Sequence, residues 1–148
     1  MPDRRTVRLV ADTRLRGPAG PQPARTYWPS TSTTPPLLVF LPADDIEHAD
    51  RRSRELCVGA GVVVLSVSYR RPLWPDGRDD AFLATGWAAD HARELGADPD
   101  RVLLAGDGSG AELAAAVASG AHERGWPPLL HLTVDDLLVP TPDRWEAR

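Results

Sequence analysis

Six consecutive residues, Gly106-Asp107-Gly108-Ser109-Gly110-Ala111, have the types and spacing that best suggest chemistry. They follow an apolar run at 101–105 and lead into an alanine-rich stretch at 112–118, an order that predicts a strand, a sharp glycine turn and a helix. In a G-x-S-x-G turn of this kind, a strained backbone lifts the middle serine above the sheet, where it attacks a carbonyl carbon. The middle residue here is Gly108, which has no side chain with which to attack.

The remaining groups of this turn offer weaker chemistry. Ser109 lies one place after the nucleophile position and is the candidate catalytic residue that remains. Serine prefers the N-cap and first turn of helices, which favours a structural hydroxyl. Backbone N–H groups at a helix N-terminus suit a carboxylate or a phosphate. We therefore predict a ligand-binding set formed by Gly106, Gly108, Ser109 and Gly110, together with Asp44 and Asp45 from an earlier loop.

A second cluster, Asp44-Asp45-Ile46-Glu47-His48, combines carboxylates with an imidazole. Its spacing matches no closed zinc site, and an acidic loop of this type is usually a solvated surface, so we predict no metal and no cofactor. The other histidines, His91, His122 and His131, are interpreted as helix or strand residues without a catalytic role.

Composition limits the classes of function. The chain has 148 residues and a formal net charge of −4, which argues against binding to nucleic acid or to an anionic membrane. No stretch approaches the ~20 apolar residues of a membrane helix. The single cysteine, Cys57, cannot form an internal disulfide, so we expect a cytoplasmic protein. The length predicts a single domain over 1–148, in which 1–22 forms an antiparallel edge strand and a turn.

Apolar runs alternate with helical patterns along the rest of the chain. This alternation predicts a parallel sheet with right-handed crossovers and helices on both faces. Strands are predicted at 6–10, 24–28, 37–41, 61–67, 101–105 and 129–139, the last interrupted at 135–136, and helices at 49–59, 79–95 and 111–123.

Four segments, in order, resemble the hormone-sensitive-lipase-like esterases of the α/β-hydrolase fold. They are residues 25–29 (R-x-Y-x-P in the family), 64–70 (V-V-S-V-D-Y-R), 74–81 (F-P-A-A-x-x-D-A, with Trp87 beyond) and 98–107 (D-x-x-R-I…A-G-D). The likeness covers about residues 22–140. It implies a three-layer α/β/α architecture with a mostly parallel sheet, in a truncated version of that fold, and carboxylic-ester hydrolysis as the family's activity.

The departures from the family pattern fall on its chemistry. Where the family has H-G-G-G, whose N–H groups bind the oxyanion, this chain has Pro42-Ala43-Asp44-Asp45. Proline has no N–H, and carboxylates repel a developing oxyanion. The nucleophile position is Gly108, and the family's late acid and histidine have no counterparts before Arg148. The resemblance therefore implies a hydrolase homologue that lacks several parts of a mechanism that works as a unit.

Several functions follow from this sequence. The first is a catalytically degenerate homologue, a pseudoenzyme that binds a small anionic or ester-like ligand or serves as a protein-interaction module. The second is an active ester hydrolase that uses Ser109 or residues supplied by another chain. A third is a marginally folded gene remnant. An apolar sheet edge near 129–139 also predicts a homo-oligomer or a protein partner.

Overall fold

The computed structural model describes residues 6–31 and 33–139, which form one sheet covered by helices. Residues 1–5 of the predicted N-terminal edge segment lie outside the described residues. The strands are β1 Val7–Gly17, β2 Gly20–Pro29, β3 Pro36–Leu41, β4 Val63–Val67, β5 Asp98–Gly106 and β6 Leu130–His131. The helices are α1 Asp50–Ala60, α2 Arg78–His91, α3 Ser109–Arg124 and α4 Val134–Leu138, and a tight helical turn, Leu73–Gly77, precedes α2.

The six strands form a mixed sheet in the order β1-β2-β4-β3-β5-β6. The pairs β1–β2 and β2–β4 are antiparallel, whereas the pairs β4–β3, β3–β5 and β5–β6 are parallel. Both N-terminal strands are longer than predicted. The chain turns tightly between Gly17 and Gly20, so β1 and β2 pair with each other from this turn to their far ends. The predicted fold class, α/β with a mostly parallel sheet, is confirmed.

Helices cover both faces of the sheet, which gives three layers. On β3, Leu37, Val39 and Leu41 face the core under α2 and α3, whereas Leu38 and Phe40 face the core under α1 and α4. All six residues of β3 are buried. Burial on both faces explains why this strand reads as an unbroken apolar run and not as an alternating one.

The predicted last strand over 129–139 is wrong beyond its first residues. Only Leu130 and His131 pair with β5, and the chain then forms the short helix α4. Thr133 starts this helix, since its side chain accepts a hydrogen bond from the Asp136 N–H at 3.0 Å. The two aspartates predicted to interrupt the strand thus occupy the first turn of a helix, where a carboxylate is favourable.

Helix α4 packs against α1 and covers apolar residues that a strand over 129–139 would expose. Leu137 is fully buried, and Leu132 and Leu138 pack against the core under α1. Leu129 packs against the opposite core. Leu130 and Val139 remain exposed, at 52% and 56% of their surface. Much less apolar surface is therefore open at this edge than the predicted strand implied.

Candidate functional site

The glycine turn meets the loop after β3 at one end of the sheet. Leu41 pairs with Gly106 in the parallel ladder between β3 and β5, so residues 42–45 and 107–109 leave the sheet side by side. Ligands of open α/β sheets bind in such a crevice, beyond the carboxyl ends of the strands. We call this place the elbow crevice, and it brings together the predicted residues of both segments.

Gly108, at the position predicted for the nucleophile, adopts a backbone conformation that favours glycine. It is exposed, at φ 53° and ψ −129°, and the next residue begins α3. Such a positive φ is strained for any residue with a Cβ. The sharp turn predicted from the sequence is therefore present, without strain because its residue is glycine, and its side-chain position is empty.

Close packing of α3 against the sheet requires glycine at positions 106 and 110. A Cβ atom on Gly106 would lie 2.2 Å from the Gly110 carbonyl oxygen, and one on Gly110 would lie 1.8 Å from the Leu41 carbonyl oxygen. Both glycines are buried. The Gly110 N–H, which the sequence assigned to a ligand, donates to the Asp107 carbonyl oxygen at 2.8 Å. These two glycines allow α3 to approach β3 and β5 closely.

Ser109 is the first residue of α3 and is half-buried. Its hydroxyl interacts with the phenol of Tyr69, which follows β4. Burial raises the pKa of Tyr69, although the hydrogen bond with Ser109 and the charge of Arg71 oppose the rise. The phenol is therefore protonated at neutral pH and donates its proton to the Pro42 carbonyl oxygen. It cannot serve as a general base for Ser109.

In the loop after β3, the backbone groups of Ala43 bind other parts of the chain. The Ala43 N–H donates to the Asp107 carboxylate at 2.9 Å, and Arg71 donates to the Ala43 carbonyl oxygen at 2.9 Å. Arg52 adds a longer ion pair to Asp107, at 3.8 Å. Asp107 thus anchors the loop after β3. The sequence did not reveal the roles of Tyr69 and Arg71, although both lie in or beside the S-Y-R motif at 68–70.

Asp44, Asp45 and His48, which follow β3, are exposed. Asp45 accepts hydrogen bonds from the backbone N–H of His48 and from its imidazole, at 2.8 and 2.9 Å. These bonds lower the pKa of Asp45, and the same pair raises the pKa of His48. Among the described residues, no group of three His, Cys, Asp or Glu side chains could hold a metal ion.

The other histidines lie elsewhere. His91 is half-buried, stacks on Trp87 with ring centres 4.3 Å apart, and its Nδ1 lies 2.7 Å from the Trp87 carbonyl oxygen. His122 is in the last turn of α3, roughly 20 Å along the helix axis from Ser109. His131 is exposed on β6. In the described ranges, no helix has the length and apolar character needed to cross a bilayer.

Comparison with known families agrees with this geometry. A family model described as the alpha/beta hydrolase fold matches residues 39–146. The chain belongs to the alpha/beta hydrolase family. Its relatives include Esterase LipI of Mycobacterium tuberculosis, which is 38% identical over 132 residues, covering 82% of this chain and 41% of LipI. The expected likeness to hormone-sensitive-lipase-like esterases is confirmed.

Solved structures and a more distant relative complete the comparison. The hyperthermophilic esterase from Pyrobaculum calidifontis superposes with a TM-score of 0.76 at 35% identity, over 80% of this chain and 42% of the esterase. The Gibberellin receptor GID1B of Arabidopsis thaliana is 34% identical over 108 residues, covering 65% of this chain and 30% of the receptor. The chain spans about two fifths of the length of Esterase LipI.

Proposed function

We propose that this hydrolase-family domain does not cleave esters at its elbow and that the elbow crevice binds a small, uncharged, ester-like ligand. The observation that carries the proposal is the backbone of Gly108. The residue has a positive φ, which would be strained for a serine, and is exposed, yet it has no side chain with which to attack. A ligand carbonyl placed there meets a binding surface and no nucleophile.

The N–H group of Ser109 suits a carbonyl oxygen. Ser109 is the first residue of α3, so its N–H has no acceptor within the helix. Of the two ligand classes considered from the sequence, the ester-like class is favoured over the anionic one. Asp44 and Asp107 act on the neighbouring Tyr69 as negative charges, and Arg71 acts on it as a positive charge. Because Arg71 is bound to the Ala43 carbonyl oxygen, the two carboxylates would repel a carboxylate or phosphate more than a neutral ester.

A binding function also has a parallel among the relatives. GID1B carries the name of a receptor, whereas LipI carries the name of an esterase. The family therefore includes a protein named for binding as well as proteins named for hydrolysis. This supports a non-hydrolytic role for a chain whose nucleophile position holds glycine.

Ester hydrolysis by Ser109, or with residues supplied by another chain, is the second candidate function. The names of the relatives and the half-buried Ser109 hydroxyl favour it. Against it, Tyr69 is a proton donor to Pro42, and the imidazole of His91 is occupied by Trp87. A serine without a neighbouring base is a weak nucleophile.

Two measurements on the purified chain test the proposal. We expect no turnover of p-nitrophenyl acetate above the buffer rate; turnover that disappears in Ser109→Ala would overturn the non-hydrolytic part. In an NMR titration, methyl acetate should shift the amide signals of Gly108 and Ser109 at lower concentration than sodium acetate does. Equal shifts, stronger shifts with acetate, or no shift with either probe would overturn the ligand assignment.

A further inference from the structure

We infer that Ala43 and Gly108 form a size-matched pair, and that Ala43 determines whether the nucleophile position can carry a side chain. The inference deepens the proposed function and rests on it for its meaning, since it explains why this elbow has no nucleophile. It concerns Ala43, which lies where hydrolases of the family have a glycine of the H-G-G-G motif. The pair therefore reverses the sizes found in the family, with the larger residue on the loop and the smaller one at the elbow.

The contact is direct. A Cβ atom on residue 108 would lie 2.7 Å from the Ala43 Cβ. Carbon atoms that are not bonded attract best at about 3.5–4.0 Å, so this distance is a steric overlap. Any residue larger than glycine at 108 therefore requires Ala43 to move or to lose its methyl group.

Ala43 is held in place from several sides. Its N–H donates to Asp107 and its carbonyl oxygen accepts from Arg71, both at 2.9 Å. The preceding carbonyl, of Pro42, accepts from the Tyr69 phenol. Moving the methyl away from Gly108 would strain hydrogen bonds to three side chains from two other segments.

Gly108 cannot withdraw either. The Asp107 N–H donates to the Leu41 carbonyl oxygen at 3.2 Å, and the Ala111 N–H donates to the Gly108 carbonyl oxygen at 3.1 Å. Gly110 already packs against Leu41 with no room for a Cβ atom. The overlap must therefore be relieved at residue 43.

A double-mutant cycle on folding stability tests the pair. The variants are Ala43→Gly, Gly108→Ala and both together, measured by urea denaturation of the 148-residue chain. Gly108→Ala combines the strain of a positive φ with the overlap, so we expect a folding equilibrium constant about 100-fold lower. In the double variant the overlap is gone. Adding Gly108→Ala to Ala43→Gly should therefore lower the folding equilibrium constant only about tenfold.

Gly96→Ala is the matched control. Gly96 also has a positive φ, 76°, but nothing lies within 4 Å of a Cβ atom placed on it. Gly96→Ala should lower the folding equilibrium constant about tenfold, from backbone strain alone, and Ala43→Gly should not change that loss. If Gly108→Ala does not fold, recovery of folding in the double variant demonstrates the coupling equally well.

Additive effects of Ala43→Gly and Gly108→Ala would overturn the inference, as would equal losses for Gly108→Ala and Gly96→Ala. This outcome is separate from the proposed function, whose failure would be seen as ester turnover or as absent binding of methyl acetate by the unmodified chain. A coupled pair in a chain that cleaves esters through Ser109 would refute the function and leave the pair intact.

Discussion

Asp80 lies in the first turn of α2 and fixes the segment that holds the crevice loop. Its carboxylate accepts four hydrogen bonds of 2.9–3.1 Å from Arg70, one from the backbone N–H and the others from the guanidinium. Arg70 stands between Tyr69 and Arg71, the two side chains that bind the loop carbonyls. We predict that Asp80→Ala destabilises the fold and loosens this loop.

The expected size follows from the burial of the two partners. The Asp80 side chain is 4% exposed, but that of Arg70 is 39% exposed. Removing one partner of a fully buried pair costs about 3–5 kcal/mol. Water can reach the guanidinium that Asp80→Ala leaves behind, whereas the Arg70 N–H loses its acceptor at a cost of about 1–3 kcal/mol. We therefore expect a loss of about 2–3 kcal/mol in the free energy of unfolding.

Asp79→Ala is the control for this prediction. Asp79 is in the same helical turn, so the interaction with the helix dipole is common to both changes. Its side chain is 51% exposed and its ion pair with Arg78, at 3.4 Å, is on the surface. The loss should be below about 0.5 kcal/mol.

Urea denaturation followed by circular dichroism measures both variants, and hydrogen exchange reports on the loop. For Asp80→Ala the midpoint should fall by roughly 1 M, and the Ala43 amide, which donates to Asp107, should exchange faster. Equal losses for Asp80→Ala and Asp79→Ala would refute the reasoning, as would a loss of stability without faster exchange at Ala43.

Three further predictions follow from packing and burial. Gly110→Ala should abolish cooperative unfolding, because its Cβ would lie 1.8 Å from the Leu41 carbonyl oxygen. Gly120→Ala in the same helix is the control and should leave the melting curve intact, because its Cβ would lie 3.4 Å from the Phe82 ring. Burial raises the pKa of Cys57 to about 12, so a thiol reagent at neutral pH should label it only in denaturant. Because the unfolded thiol ionises at lower pH, the stability due to this shift is lost as pH rises above the ordinary thiol pKa, a loss that should be absent in Cys57→Ala. Sedimentation at micromolar concentration should show a self-associated chain, and Leu130→Lys on the exposed edge should raise the monomer fraction; a monomer before substitution would contradict this.

The fold was largely predictable because its central elements bury both faces. The apolar runs that form β3 and β4 and the spacing of the helices have local signals, and the expected architecture followed from them. The end of the chain was misread, because a strand and a short helix are equally compatible with an apolar run broken by two aspartates. Thr133, three residues before Asp136, was the available cap signal.

The elbow crevice was predictable only in part. The glycine turn, with glycine at its middle position, was visible from residue types, because the pattern is short and local. The contact between Ala43 and Gly108 joins residues 65 positions apart, through the register that pairs Leu41 with Gly106. No local pattern encodes such a contact, so the role of Ala43 could not be predicted without the positions of the strands.

The sharp turn at Gly108 is maintained by its neighbours and not by the chemistry it would serve in a hydrolase. Gly106 and Gly110 allow α3 to approach β3 and β5 closely, and this approach brings the chain sharply from β5 into the helix. Asp107 adds a second constraint, because its carboxylate and its backbone both bind residues at the end of β3. Position 108, in contrast, faces the crevice, and of the loop residues only Ala43 restricts what it can carry. These contacts hold the turn whatever residue stands at position 108, so the non-hydrolytic binding role that we propose does not require the elbow to have changed shape.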